Sequence, residues 1–441
     1  MSSMCQGRLH MFSVRSDGSR QAEIYRSKEQ PDHDPWSKIT VSLEQQALHF
    51  FSYHYLVNGS GRPPSHPDCL AIVYTRATGH GYLANLITAV GLVSLAYLRH
   101  APALTHAARQ TYSRALHDVC AALADPAEAA SDQMLVAVML LVLYETVTAN
   151  SSNDLSPWDR HVDGALALVQ LRGVGQLRNR IGRNIFLNLR TEILINCLQR
   201  RVRVPITLMN WMSEARHFET AQEAPAGSLA DLIVSTCAVL TSVKEEVLDE
   251  VDLSRYISTL LSIDQDLKCW AESLPTDYLY KTLTITKSSR ELYLGRYDTY
   301  SGVEIVHIWN LQRCARITLH QALLEMLSIH FNKGFSPSAP LSSSHVLGTS
   351  DAVIRENSGD ICHSVPYILH LCDKPGKPGD VRGASIMSLL WPLCIAGTAH
   401  TASDTLRDWI IAQMNKIEQV TGIQGAKLVA LDIQKRCLFP D

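Results

Sequence analysis

Two side chains near the middle of the chain are of the types that acid–base chemistry uses. Glu145 directly follows an apolar run that ends at Tyr144, so its carboxyl group is expected to be partly buried. Burial raises the pKa of a carboxyl group, and such groups can act as general acids. His161 lies in the next predicted helix, close to Asp159, and histidine is the commonest general base.

A structural role is nevertheless favoured for Glu145, His161 and Asp159. The sequence has no nucleophile elbow, no H-E-x-x-H and no His/Cys cluster at ligand spacing. A glutamate at a helix end is more often paired with an arginine or with the N-terminus of a neighbouring helix. Gly164 would let His161 pack at a helix crossing. We therefore predict buried polar, structural roles for the three residues, and no catalytic or metal-binding residue.

An acidic stretch, "KEEVLDEVD" at 244–252, offers a second kind of chemistry. As one helix it would place Glu245, Asp249 and Asp252 on the same side, and three such carboxylates could bind magnesium as in helical isoprenoid cyclases. Those enzymes use adjacent aspartates, and no D-D pair occurs in this chain. A solvated helix face is the favoured interpretation.

A series of arginines raises the question of nucleic-acid contact: Arg172, Arg178, Arg180, Arg183, Arg190, Arg200, Arg201 and Arg203. The series lacks the interleaved aromatic residues that stack on bases. Arginine forks also pair with carboxylates between helices. We predict that most of these side chains are split between helix faces or paired with acids such as Glu145, Asp159 and Asp163.

Composition narrows the function classes further. The 441 residues carry a net charge of −3, so the whole molecule is not built for binding nucleic acid or anionic lipid. The 11 cysteines form no C-x-x-C, which suits a reducing compartment and predicts no zinc site. The P-loop and dinucleotide-binding motifs do not occur. The sequence therefore predicts no cofactor.

The longest apolar run, Met134–Tyr144, does not predict a membrane span. It is shorter than the roughly 20 residues that a helix needs to cross a bilayer. The N-terminal residues lack the pattern of a secretory signal. We expect an intracellular protein, with this run as a core helix buried on nearly all sides.

Helical periodicity extends over most of the chain and predicts an all-α fold with no sheet. We expect a disordered leader at 1–40, a single large multi-helix domain at 41–441, and a flexible loop at about 333–351. Ser42 with Gln45 predicts a capping box, and Ser131 or Asp132 caps the apolar helix. Pro157 is placed in the first turn of the following helix.

The order of several stretches resembles the fungal-specific transcription factor domain that follows binuclear zinc-cluster fingers. The stretches include "SLEQQALHFFSYHY", "ANLITAVGLVSLAYL", "SDQMLVAVMLLVLYE" and "WDRHVDGALALVQLRG", and later "CWAESLP" and "IWNLQRCARITLHQALL". The resemblance covers roughly residues 40–437. It implies an all-helical regulatory domain in one body.

One feature departs from that family's pattern. Its members carry an N-terminal finger in which six cysteines hold two zinc ions, whereas the first 68 residues here contain only Cys5. Because the metal folds the DNA-reading helix of such a finger, we expect neither zinc nor autonomous DNA binding.

Three function hypotheses follow. The first is a finger-less transcription regulator of a fungal metabolic or secondary-metabolite gene cluster. It would act in the nucleus, with the cytoplasm as the alternative, through protein partners such as a DNA-binding regulator; a small-molecule effector and a homodimer are left open. The second is a helical enzyme evolved from this scaffold, such as a magnesium-dependent isoprenoid cyclase. The third is a dimeric interaction protein without a ligand. Carboxylates converging on one cavity would favour the enzyme, and a cavity without charged groups would favour the regulator.

Overall fold

A computed structural model of the protein describes residues 41–56, 73, 81–148, 156–245, 250–285, 290–332, 343–369 and 383–438. The first half of this part contains the helices α1 Leu43–Phe51, α2 Tyr82–Leu98, α3 Pro102–Ala122, α4 Pro126–Ala129, α5 Asp132–Thr148, α6 Ser156–Arg172, α7 Gly175–Arg178, α8 Arg180–Arg200 and α9 Ile206–Arg216. The second half contains α10 Ala224–Glu245, α11 Glu250–Glu272, α12 Val303–Asn332, α13 Ser343–Ile368, α14 Gly383–Thr398, α15 Asp404–Thr421 and α16 Gln424–Leu438, with the strands β1 Lys281–Thr284 and β2 Arg296–Thr299.

The all-α prediction is confirmed, and two of the predicted caps are present. Ser42 Oγ accepts a hydrogen bond from the backbone N–H of Gln45, and Gln45 Oε1 accepts one from the backbone N–H of Ser42. Ser131 Oγ accepts from the backbone N–H of Met134 at 3.1 Å and so starts α5. The expected leader at 1–40 lies outside the described residues.

The loop expected at about 333–351 is wrong over its second half. Helix α13 begins at Ser343, so residues 343–351 are helical, while 333–342 lie outside the described residues. Serine favours helix starts because its hydroxyl accepts from free backbone N–H groups. A stretch rich in serine is therefore compatible with the beginning of a helix as well as with a loop.

A small antiparallel sheet, formed by β1 and β2, was not predicted from the sequence. Lys281 is paired with Thr299, and Thr284 with Arg296. Each strand has four residues, and all four residues of β1 are exposed, so neither shows the alternation that marks a half-buried strand. The Thr282 hydroxyl donates to Asp298 Oδ1 at 2.7 Å, which ties the two strands through side chains as well.

Helix α5 is enclosed as its composition requires. Eight of the eleven residues in Met134–Tyr144 are buried and the other three are partly buried. Val138 is 8% exposed and Leu141 is 3% exposed. The prediction that this run is buried on nearly all sides is confirmed.

Helices α1 and α2 cross closely because Gly91 has no side chain. A Cβ atom at this position would collide with the backbone carbonyl of Ala47. This is the role that we expected for Gly164, and that expectation is wrong. Gly164 is exposed, and an added Cβ would meet no atom within 4 Å among the described residues.

One described helix segment, Ala224–Lys244 in α10, is long and apolar enough to cross a membrane by length and composition. Half of it is buried against other parts of the protein, and α10 contacts α8, α11 and α12. A core helix of a globular protein has the same properties.

The centre of the fold is α12, whose residues 309–320 are all buried. This run contains two arginines, and each is held by a buried carboxylate of another element. Arg313 Nη2 lies 3.3 Å from Asp298 Oδ2 on β2, and Arg316 Nε lies 2.7 Å from Asp264 Oδ1 on α11. A buried charge is strongly unfavourable unless it is paired and hydrogen-bonded. These two pairs therefore fix where the hairpin and α11 meet α12.

Further contacts complete both pairs. The Tyr300 hydroxyl donates to Asp298 Oδ2 at 2.9 Å and accepts from Arg313 Nη1 at 3.0 Å, and the Tyr280 ring lies 4.9 Å from the guanidinium carbon of Arg313. Burial alone would raise the pKa of Asp264. Contacts with His320, Arg316 and Lys268 outweigh that effect and hold the pKa well below its ordinary value.

We predict that Asp298→Ala lowers the free energy of unfolding by about 3–5 kcal/mol, because it leaves the Arg313 charge buried without its carboxylate. The matched control is Asp252→Ala, which removes the partner of the exposed Arg255. That variant should lose about 1 kcal/mol or less. Urea denaturation measures both, and equal losses would contradict the role given to the buried pair.

Candidate functional site

A surface groove lies where α2, α3 and α5 meet, and a tight turn between α2 and α3 forms one end of it. His100 adopts a left-handed conformation with φ of 51°, and the N–H of Ala101 donates to the carbonyl of Ala96 at 2.9 Å. Pro102 then opens α3, where a missing N–H costs nothing. The turn brings the last residues of α2 beside the first two turns of α3.

The groove consists of two adjoining cavities of about 400 and 300 Å³ that share Tyr97, Thr105 and Arg109. The larger is lined by Ala96, Tyr97, His100, Ala101, Pro102, Thr105, His106 and Arg109. The smaller is lined by Val93, Tyr97, Thr105, Arg109, Tyr112, Ser113, Tyr144 and Thr148. None of these described lining residues is an aspartate or glutamate. The groove is therefore aromatic and basic rather than acidic.

A stacked pair of tyrosines forms one wall. The rings of Tyr112 on α3 and Tyr144 on α5 are 4.0 Å apart and inclined by 10°. The Tyr112 hydroxyl donates to Glu145 Oε1 at 3.3 Å. Burial, and then the Glu145 carboxylate, raise the pKa of Tyr112 well above its ordinary value. The Tyr112 side chain therefore stays neutral, and its hydroxyl already donates its hydrogen bond to Glu145.

The Tyr144 hydroxyl differs from that of Tyr112. It is buried, and in the part of the chain that the structure describes it has no hydrogen-bond partner. Burial, and then the neighbouring Tyr97, raise the pKa of Tyr144 to about 12, whereas Arg109 acts in the opposite direction. The Tyr144 residue itself lines the smaller cavity together with Tyr97 and Arg109. A buried hydroxyl without a partner is unusual and calls for an explanation.

Glu145 and His161 form a pair at the end of this wall. His161 Nε2 lies 2.9 Å from Glu145 Oε1, and both side chains are partly buried. The arginine or helix N-terminus that we expected beside Glu145 is replaced by a histidine and a tyrosine. Asp159 lies in α6, but its side chain is outside the described part, so its predicted role stays a prediction.

The acidic stretch at 244–252 is described only at its two ends. Glu245 ends α10, Asp252 lies in α11, and Asp249 is outside the described residues. Asp252 Oδ1 is 2.7 Å from Arg255 Nη2. The interpretation of three carboxylates on one helix face therefore stays a prediction, because residues 246–249 lie outside the described residues. Among the described residues, no three His, Cys, Asp or Glu side chains form a group that could hold a metal ion.

The arginine series is divided as predicted, but two of the three predicted partners, Glu145 and Asp163, are wrong, and Asp159 stays untested because its side chain lies outside the described part. Arg172 pairs with Asp132, Arg183 with Glu223, and Arg201 with Glu325. Arg190 is buried, and burial is the main reason why its pKa falls to about 10. The exposed members are Arg178, Arg180 and Arg203.

Neither Glu145 nor Asp163 takes an arginine of this series. Glu145 is held by His161 and Tyr112, and Asp163 is exposed. The partners that the structure shows lie on α5, at the start of α10 and on α12. The nearest acids along the chain were therefore a poor guide to the nearest acids in space.

Sequence reasoning missed the groove itself. Tyr97, Arg109 and Tyr144 come from three helices, and the spacing of residues within one helix does not reveal a site shared by three. One local signal was available. Arg109 and Tyr112 are three residues apart on α3 and therefore share a helix face.

These features define a class of protein: an all-helical scaffold with an open aromatic groove and, among the described residues, no metal-binding cluster. Comparison with known proteins agrees with this class. Residues 50–200 match the family described as the fungal specific transcription factor domain. This match agrees with the resemblance seen in the sequence. The groove lies inside the matched segment.

A curated relative extends the similarity. The chain is 23% identical over 375 residues to "Transcription factor dbaG" of Emericella nidulans, a match that covers 79% of this chain and 81% of that protein. No solved structure matches the chain significantly.

We predict that Tyr144→Phe leaves the free energy of unfolding unchanged or raises it by about 1 kcal/mol, because it removes a buried hydroxyl that has no partner among the described residues. The matched control is Tyr300→Phe, whose hydroxyl bonds both Asp298 and Arg313. That variant should lose about 1–3 kcal/mol. Urea denaturation checks both, and a loss in Tyr144→Phe as large as in the control would show that the hydroxyl does have a stabilising partner.

Proposed function

We propose that the protein is a transcription regulator of a fungal metabolic or secondary-metabolite gene cluster, working in the nucleus through partner proteins. The observation that carries the proposal is the family match at residues 50–200. The similarity to a transcription factor over most of both chains supports it. This function makes no demand for catalytic groups.

The distribution of charge supports action through partners. A protein that follows a DNA backbone needs several cations on one surface, since each neutralised phosphate adds to the affinity. In the arginine series, three side chains are paired with carboxylates and Arg190 is buried. The partner that this proposal requires is a protein that itself reads DNA.

A tethered reporter tests the regulatory function. The full chain is fused to a bacterial repressor's DNA-binding domain and placed upstream of a reporter gene in a fungal host. We expect reporter transcription to change several-fold relative to the DNA-binding domain alone. The destabilised variant Asp298→Ala should lose most of that effect. An unchanged reporter, with the wild-type fusion shown to accumulate in the nucleus, would contradict the proposal.

A mobility-shift titration tests the dependence on partners. With the purified chain at physiological salt, we expect any DNA binding to be no tighter than roughly micromolar and to show no sequence preference. The probes are the promoters of the genes nearest to its own gene, with a shuffled sequence as the control. Tight binding that resists competitor DNA would show that this chain reads DNA by itself.

A further inference from the structure

We propose that the groove between α2, α3 and α5 binds a small organic monoanion, an apolar body with one carboxylate or acidic phenol, as the effector of the regulator. That the ligand acts as an effector rests on the proposed function, whereas its binding rests on the residues of the groove alone.

The size of the groove fits such a ligand. The two cavities, of about 400 and 300 Å³, adjoin each other through three shared lining residues, and each falls within the range of about 300–1,000 Å³ that ligand sites usually measure. Both cavities are open, so a ligand can enter without unfolding the surrounding helices.

The polar groups of the groove favour an anion. Arg109 is exposed in the shared part of the groove, and its guanidinium forms no ion pair within the described residues. Arginine forks bind carboxylates through two parallel hydrogen bonds. Among the described lining residues, which also include His100 and His106, Arg109 is the one that is charged at every physiological pH, and it matches one negative charge. A phosphate, which carries nearly two charges at neutral pH, would need further fixed donors.

The Tyr144 hydroxyl supplies a second, independent indication. It is a donor with no partner among the described residues, it is covered, and Arg109 and Tyr97 are close enough to shift its pKa. Tyr144 and Arg109 line the same cavity, and because the hydroxyl is covered, the proposal requires the Tyr144 side chain or its neighbours to shift when an acid group enters. A hydrogen bond from Tyr144 to that group would then remove the unsatisfied donor.

The remaining walls suit an apolar body. Val93, Ala96, Ala101 and Pro102 supply aliphatic surface, and Tyr97 supplies an aromatic ring. The Tyr112–Tyr144 stack forms one wall of the groove, and the hydrogen bond from Tyr112 to Glu145 holds that wall in position. Glu145 therefore acts as a positioning residue for the wall, with its own charge turned to His161.

Calorimetric titration of the full chain at neutral pH tests the proposal. The probes are 1-naphthoate, the neutral 1-naphthamide of the same shape, and inorganic phosphate. We expect saturable binding of 1-naphthoate, about tenfold or more tighter than that of the amide or of phosphate, because a hydrogen bond to a charged group is stronger than one to a neutral group.

Variants assign the contacts. Arg109→Gln should weaken 1-naphthoate binding about tenfold or more and bring it close to that of the amide. Tyr144→Phe should weaken it several-fold while the melting temperature stays equal or rises, so that the loss is not a loss of folding. The matched control is Arg114→Gln, an exposed arginine on the same helix that lies outside the groove and bonds Thr111. It should bind like the wild type.

Three results would overturn the proposal: no saturable binding of 1-naphthoate, equal affinity for the acid and the amide, or unchanged affinity in Arg109→Gln. Tighter binding of phosphate than of 1-naphthoate would also overturn it. Failure here and failure of the proposed function are distinguishable. If the tethered reporter is active but 1-naphthoate does not bind, the proposed regulatory function stands and the proposed ligand of the groove is refuted. Binding with an inactive reporter does the opposite.

Discussion

Two guanidinium groups are buried in the middle of α12, and the arrangement of the surrounding elements depends on keeping them paired. Arg313 requires Asp298, which places the β-hairpin against the helix, and Arg316 requires Asp264, which places α11. Separating either pair would leave a buried charge without its partner, which is strongly destabilising, so packing positions of α12 that break a pair are excluded. The hydrogen bond that Tyr300 donates to Asp298, and the contact of Lys268 with Asp264, restrict the positions of the two carboxylates further.

The groove lies in a part of the protein that is held differently. In the middle of α12, Arg313 and Arg316 each meet a buried carboxylate at hydrogen-bond distance. At the meeting point of α2, α3 and α5, Arg109 is exposed and the Tyr144 hydroxyl has no partner among the described residues. A regulator needs a framework that does not change and a region whose state can change, and regions of the second kind come from the less stable parts of a fold. Arg109 and Tyr144 both lie in the segment, residues 50–200, that matches the family.

The sequence predicts the elements whose cause is local. Helix α5 follows from its composition, since a helix apolar on all sides must be enclosed, and the starts of α1 and α5 follow from Ser42 and Ser131. It does not predict features whose partners are distant in the chain. The sequence does not distinguish a buried arginine such as Arg313 from an exposed one. Its partner Asp298 lies in a strand of four residues, which is too short to show an alternation of buried and exposed positions. For the same reason the partner of Glu145 was misjudged, and the groove was missed because its residues lie on three helices.

We infer that α12 has the highest free energy of local opening in the fold and that the helices around the groove have a lower one. Native-state hydrogen exchange of the purified chain tests this most directly. We expect the amides of residues 309–320 to exchange only through global unfolding, so that their free energy of opening equals the free energy of unfolding from urea denaturation. Amides of residues 97–113, around the groove, should exchange through local opening with a lower free energy. Exchange of residues 309–320 at a lower free energy than residues 97–113 would contradict it.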